Sequence, residues 1–375
     1  LRFAPGTFTY LDHLTVTPVL DEALAAFTET LANGYGNTRS SNLPGRKALE
    51  FCNRASEEVA DFFGGKRTFF YSDGGMAAGL SVAAIGRAAR KSGREHIVAS
   101  SLEITPIVSV LRMLNSEGSE VTFLPSDGNG RISPCALRDA MTDRTGLVIS
   151  AWGSAVSGVV QPVDELADIS HEGGALFHSD ATAVAGRLKI DLNSSKVDVI
   201  TIDSHRLGGL PGTGAVVSTL DDPWVMSEAS EYPAMSDIPG IAAFLAALRV
   251  INTGILPRAR LVNQLRLELL DGLDRLGIGY SIVGGKLEFL LPGAALLRLN
   301  RIYAGFHARM EDLDVILPSH LCSERLSYLK SLGLDVSEED QERYLGFSLA
   351  PMNTILEVEH FLRAVSMSIS RKTGR

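Results

Sequence analysis

A histidine and an arginine stand side by side at His205 and Arg206, and an aspartate, Asp180, ends an apolar run ahead of them. A guanidinium stays protonated, so Arg206 is no nucleophile and is suited instead to anchoring an anion. Its charge would depress the pKa of His205 if the two side chains were close. At a strand end, however, successive side chains point to opposite faces, so the spacing does not fix that coupling. Cys322 lies just before an apparent helix, and a helix N-terminus lowers a thiol's pKa, which favours the thiolate. A lone cysteine is equally an inert, buried apolar residue. The three cysteines, Cys52, Cys135 and Cys322, are far apart and odd in number, so they form neither a disulfide framework nor a metal-binding spacing. A reducing, cytoplasmic setting fits them.

These residues must be positioned by regular elements. Residues 96–100, 120–124, 146–150, 175–178, 197–202 and 213–217 are β-rich runs, apolar through most of their length. Helical spacing separates them, at 106–116 with Ile107, Val110, Leu111 and Leu114 on one face, at 134–141 and at 163–171. Ser133 is placed to cap the second of these helices, with Pro134 at its first position. Asp127-Gly128-Asn129-Gly130 is a turn signal. Buried strands alternating with helices predict a mainly parallel sheet covered on both faces, with ligands at the carboxyl ends of its strands. From 238 to 276 the pattern is helical, with a break at Gly254-Ile255-Leu256-Pro257. A second alternation follows, with strands at 287–290 and 295–299 and helices at 323–332 and 355–367. Two domains are expected of 375 residues: a large α/β unit over 15–255 and a small α+β unit from 1–14 and 256–375.

The chain is 45% apolar and 21% charged, with no apolar run long enough to span a bilayer. Its start, Leu1-Arg2-Phe3-Ala4-Pro5-Gly6, has no charged stretch followed by an apolar one, so no secretory leader is visible. A net charge of -9 argues against nucleic acid or an anionic membrane as partner.

Several ordered blocks resemble a known family. Tyr10-Leu11-Asp12, Thr17-Pro18 and Tyr35-Gly36-Asn37 open the chain. Residues 120–125 precede Asp127 and Gly130, and Gly158-Val159-Val160-Gln161-Pro162 and the segment 174–181 follow. Together they resemble the cysteine desulfurases, in the class V aminotransferase group of fold-type I pyridoxal-phosphate (PLP) proteins. The resemblance covers nearly the whole chain. It implies an α/β fold of that type, with a mainly parallel seven-stranded sheet and a smaller C-terminal domain. It also implies a dimer in which each site is built from two chains.

Against the family pattern, the chemistry is eroded. In the family a lysine forms an imine with the PLP aldehyde, after a Ser-x-His or similar triplet. Here the text reads Asp203-Ser204-His205-Arg206. Ile104 replaces the histidine that stacks on the pyridine ring, and the phosphate cup reads Ser72-Asp73-Gly74-Gly75-Met76, with Gly75 for threonine and an added carboxylate at Asp73. Ser154-Ala155 replaces an asparagine pair, Ala183 a glutamine, Tyr232-Pro233-Ala234-Met235 an Arg-Ser-Gly-Thr segment, and Gly346 the arginine that holds the substrate carboxylate. What the resemblance leaves is Asp180 for the pyridine nitrogen, His205 near the phosphate or ring oxygen, Ser72 in the cup, and Cys322 near the persulfide-forming cysteine's place. Each has an ordinary structural reading beside it.

Three expectations follow. Arg206 pairs with Asp180 or Asp73 in place of the cofactor. Ile104, Met76, Met235 and Trp152 fill the vacated pocket, since a cavity costs a few kcal/mol. PLP is not held covalently, and only noncovalent binding through Asp180 and His205 is open to it. The function expected is a binding or partner subunit, as a homodimer or as a heterodimer with an active relative. The alternative is PLP-independent chemistry in the same cleft, with Arg206 anchoring a small anionic ligand and His205 or Cys322 reacting.

Overall fold

The computed structural model describes residues 8–34, 36–221, 237–319, 323–334, 336, 337 and 339–370. Strand β1 (Thr9–Tyr10) leads into helices α1 (Asp21–Asn33) and α2 (Leu43–Phe63). Asn42 caps α2 by accepting from Gly45 N at 2.9 Å, and Gly64, at φ 70, ends it in the left-handed region that glycine adopts without strain. Then come β2 (Arg67–Tyr71), α3 (Gly74–Lys91), β3 (His96–Ser100), α4 (Thr105–Ser116), β4 (Glu120–Leu124), α5 (Pro134–Ala140), β5 (Thr145–Ile149) and α6 (Val163–Glu172). Next are β6 (Leu176–Asp180), β7 (Val199–Asp203), a 3-10 turn (Ser204–Arg206), β8 (Gly214–Ser218), α7 (Ile238–Asn252) and α8 (Ile255–Arg275). The remainder is β9 (Tyr280–Ile282), β10 (Ala294–Leu299), α9 (Phe306–Glu311), β11 (Val315–Ile316), α10 (Ser323–Ser331), β12 (Tyr344–Ser348) and α11 (Ile355–Ser370).

The seven-stranded sheet runs β2-β8-β7-β6-β5-β3-β4, with β8 antiparallel to both its neighbours and the other pairs parallel. This is the mainly parallel α/β sheet expected. Its period-two alternation divides the interior. Val98, Val148, Ile200, Ile202, Ala215 and Val217 enter one core, while Ile97, Ala99, Leu147, Ile149, Val199 and Val216 enter another with the small residues of α3. Ser133 caps α5 from 3.3 Å, as its sequence predicts. A third core gathers α8 and α11 around the three-stranded sheet β12-β10-β9. No single described helix is long and apolar enough to cross a membrane.

Residues 287–290 depart from expectation. They begin as a 3-10 turn, Leu287–Phe289, instead of a strand. The segment packs on a loop: Phe289 O accepts from Val160 N at 2.8 Å, and the Arg131 guanidinium lies 4.2 Å over the Phe289 ring. The strand nearby, β9, instead lies at the end of the long helical run.

Candidate functional site

The carboxyl ends of β3, β5, β6 and β7 open onto one cleft of about 380 Å³. Its wall includes Asp73, Glu103, Asp180 and Asp203, with His205 and Arg206 as its cationic or titratable bases and, among the described residues, no lysine. Ile104, Ser154, Ala155 and Ala183, where the family pattern carries other side chains, also face it.

His205 and Arg206 are not at a strand end. They sit in the 3-10 turn after β7, and both line the cleft. His205 Nδ1 bonds to Asp203 Oδ1, and its main-chain N donates to the same oxygen at 3.1 Å. Burial would raise the Asp203 carboxyl, but the hydrogen bond and charge of His205 outweigh it and hold the group below its ordinary value.

The other oxygen of Asp203 reaches across 129 residues of sequence to the N-terminus of α3, where Gly74 N donates to it at 2.6 Å. Asp73 caps the same helix, accepting from Met76 N at 2.7 Å. Two of the first amides of α3 are therefore already bound to carboxylates. A side chain at Gly75 would press to 3.1 Å from both Asp73 Oδ1 and Pro106 Cγ, so a threonine there has little room. Ser72 is exposed, turns its hydroxyl to Met76 Sδ at 3.2 Å, and is not in the cleft wall.

Asp180 ends β6, 3% exposed. Its Oδ1 accepts from Thr182 N at 3.0 Å and Thr201 Oγ1 at 3.4 Å. Burial raises its pKa, partly offset by the Thr182 amide and by the charge of Arg206. Arg206 nevertheless forms no ion pair with Asp180 or Asp73 among the described residues, and its Nε is buried without a hydrogen-bond partner. The expected pair is thus corrected: Asp73 is held as a helix cap, and Asp180 is held by the β6–β7 backbone and threonines.

The filling of the pocket is corrected as well. Met76 is 49% exposed, and Trp152 packs into the core of the large sheet. Of the described fillers only Ile104 lines the cleft, which stays open. Cys322 and the segment 232–235 lie outside the described residues. Gly346 is on β12, and a Cβ there would lie 3.6 Å from an amino group of Arg325, which donates to Tyr344 O at 2.7 Å.

Glu103 was present in the sequence only as the neighbour of Ile104. It is 9% exposed, with Oε1 accepting from Ala151 N at 2.8 Å and Oε2 buried without a hydrogen-bond partner. Burial pushes its carboxyl up to about 8, against the pull of the Ala151 amide, and the charge of Asp180 adds to the rise. Tyr328, buried in the cleft wall, shares a 2.5 Å hydrogen bond with Ser157. Only its place in a helical pattern was visible beforehand.

A family model for class-V aminotransferases matches residues 9–222. The cysteine desulfurase IscS of Anaeromyxobacter sp. (strain Fw109-5) is 30% identical over 374 residues, covering 95% of this chain and 91% of that protein. That of Methanosarcina thermophila is 28% identical over 378 residues, covering 95% and 90%. Among solved structures, a NifS-like protein superposes with a TM-score of 0.86 at 22% identity, covering 97% of this chain and 100% of that one. An apo cysteine desulfurase from Thermococcus onnurineus NA1 gives 0.80 at 20% identity, covering 97% and 95%. The chain belongs to the class-V aminotransferase family. Within it, the full-length relatives that it resembles are cysteine desulfurases.

Proposed function

We propose that this chain is a cysteine desulfurase-like protein without PLP-dependent desulfurase activity, acting as a binding or partner subunit. The observation that carries this reading is the occupied N-terminus of α3. A phosphate bound at a helix N-terminus needs free amides and a positive potential. Here Asp73 and Asp203 take Met76 N and Gly74 N and bring two carboxylates to the place a dianion would enter. The residues present do not fit PLP. Arg206 offers no amine for an imine, and no lysine lines the cleft among the described residues.

As a partner subunit the chain would dimerise, with itself or with an active relative. Supporting this, α1 and α2 leave Leu24, Leu31, Leu43 and Leu49 exposed, an apolar surface suited to association. A second reading, PLP-independent chemistry with Arg206 anchoring an anion, is favoured by the absence of any ion-pair partner for that guanidinium among the described residues.

Incubation with PLP, borohydride reduction and mass spectrometry test the first reading, followed by an assay of sulfide release from cysteine. The expected result is no pyridoxyl adduct and no sulfide. A pyridoxyl adduct on any residue lining the cleft overturns it.

A further inference from the structure

Arg206 also lines a second pocket, of about 300 Å³, beside the N-terminal turns of α8. We infer that it is a binding site for a small organic anion, a carboxylate or phosphate monoester carried on an apolar body. Three arginines line it, Arg187, Arg206 and Arg258, and its wall contains no aspartate or glutamate among the described residues. None of the three forms an ion pair with a described carboxylate.

Their roles differ. Arg187 is a fixed strut. Its Nη1 donates to Leu349 O at 3.0 Å and Pro292 O at 3.3 Å, and its Nη2 to His13 O at 2.9 Å. All of these acceptors are neutral carbonyls, so its positive charge is left without a counterion. Burial, reinforced by the nearby charge of Arg206, lowers it to about 10, still charged at neutral pH. Arg206 keeps a buried Nε free, and the carboxylates that feel its charge, Asp180 and Asp12, act from a distance without pairing. Arg258, half-buried in the first turn of α8, has no described hydrogen bond from its side chain.

Arginines that share a pocket with no counterion repel one another, and an oxyanion that accepts from two of them removes that repulsion and satisfies uncommitted donors. The remaining wall selects the rest of the ligand. Leu20, Leu207, Ile251, Val262 and Met352 surround the charged group with apolar surface. A bare, strongly hydrated ion gains nothing from that surface, whereas a compact hydrocarbon or aromatic body does.

The inference stands apart from the proposed function. A pyridoxyl adduct would defeat that proposal and leave this pocket to be decided by its own titration. Calorimetric titration of the full chain at low ionic strength with benzoate, phenyl phosphate and inorganic phosphate tests it. Saturable binding of benzoate or phenyl phosphate at one per chain is expected, with inorganic phosphate at least ten-fold weaker. The better of the two organic probes distinguishes a carboxylate from a phosphate ester. Arg258→Met and Arg206→Met should each weaken that binding by about ten-fold or more, the loss of one charge-assisted contact. Arg258→Lys should recover part of it, and Arg138→Met, an exposed arginine elsewhere, should leave it unchanged. Thermal unfolding checks that each variant is folded. Ala259→Leu, which adds bulk to the same wall, gives a second route to the same loss. Unaltered affinity in Arg258→Met, no saturable organic binding, or inorganic phosphate binding as tightly as phenyl phosphate overturns the inference.

Discussion

The two chambers that share Arg206 differ in the ionisable groups that line them. The cleft gathers Asp73, Glu103, Asp180 and Asp203 beside His205 and Arg206, while the pocket gathers Arg187, Arg206 and Arg258 with no acid among its described residues. The acidic side has been tied into the backbone: Asp73 and Asp203 hold the start of α3, Asp180 holds Thr182, and Glu103 holds Ala151. On the basic side only Arg187 is tied down, while Arg206 and Arg258 keep donors to offer. The carboxylates of the larger cavity are thus engaged by the backbone, while two arginines of the adjoining one have no described side-chain partner.

The strongest break between the two sides is expected at Glu103. Its pKa is raised in the folded protein, so the unfolded chain loses that proton at a lower pH. Stability is therefore greatest below the carboxyl's ordinary range and falls as pH rises towards about 8. The fall is about 1.4 kcal/mol per pH unit from this group alone. Urea unfolding of the wild type and Glu103→Gln between pH 5 and 9 should show the decline in the first and a flatter profile in the second. Equal slopes would mean that Glu103 is not an uncompensated buried acid.

Arg187 and Arg258 sharpen the contrast within the basic pocket. Arg187→Met strands three carbonyls and should cost about 3 kcal/mol. Arg258→Met breaks no described hydrogen bond and should stay within about 0.5 kcal/mol. Thermal denaturation compares them, and similar losses would show that both arginines are structural. On the acidic side, Asp73→Ala should cost about 1 kcal/mol through loss of the cap on α3, measured in the same way. The smallest effect is expected from Arg206→Lys. Restoring the amine alone leaves Asp73 and Asp203 on the α3 amides, so an absorbance scan with added PLP should match that of the wild type. A new band fixed by borohydride would show that the single substitution suffices for imine formation in this cleft.

Much of this was legible in the residues. The strands at 96–100 and 120–124 and the helix at 106–116 follow from local periodicity, and the structure places them within a residue of expectation. The place of Arg206 in the cleft wall was also legible, because an ordered series of family blocks locates that position. The partner assigned to it was not. Asp180 feels the charge of Arg206 and Asp73 lines the same cleft, but each has acceptor oxygens engaged by local backbone, and sequence spacing does not report which oxygen is free. Gly293 and Leu349, joined through main-chain bonding, and the three carbonyls held by Arg187 likewise come together from segments with no shared local pattern.

By itself the sequence determined the family, the alternation that builds the sheet, and the arginine at position 206, since these depend on residue identity and short-range order. The tertiary structure alone decided that Asp203 meets Gly74, that Glu103 loses its water, and that one guanidinium borders both an acidic and a basic chamber. Solvation and charge pairing depend on which distant parts of the chain displace water around a group, and that is settled only when the chain has folded.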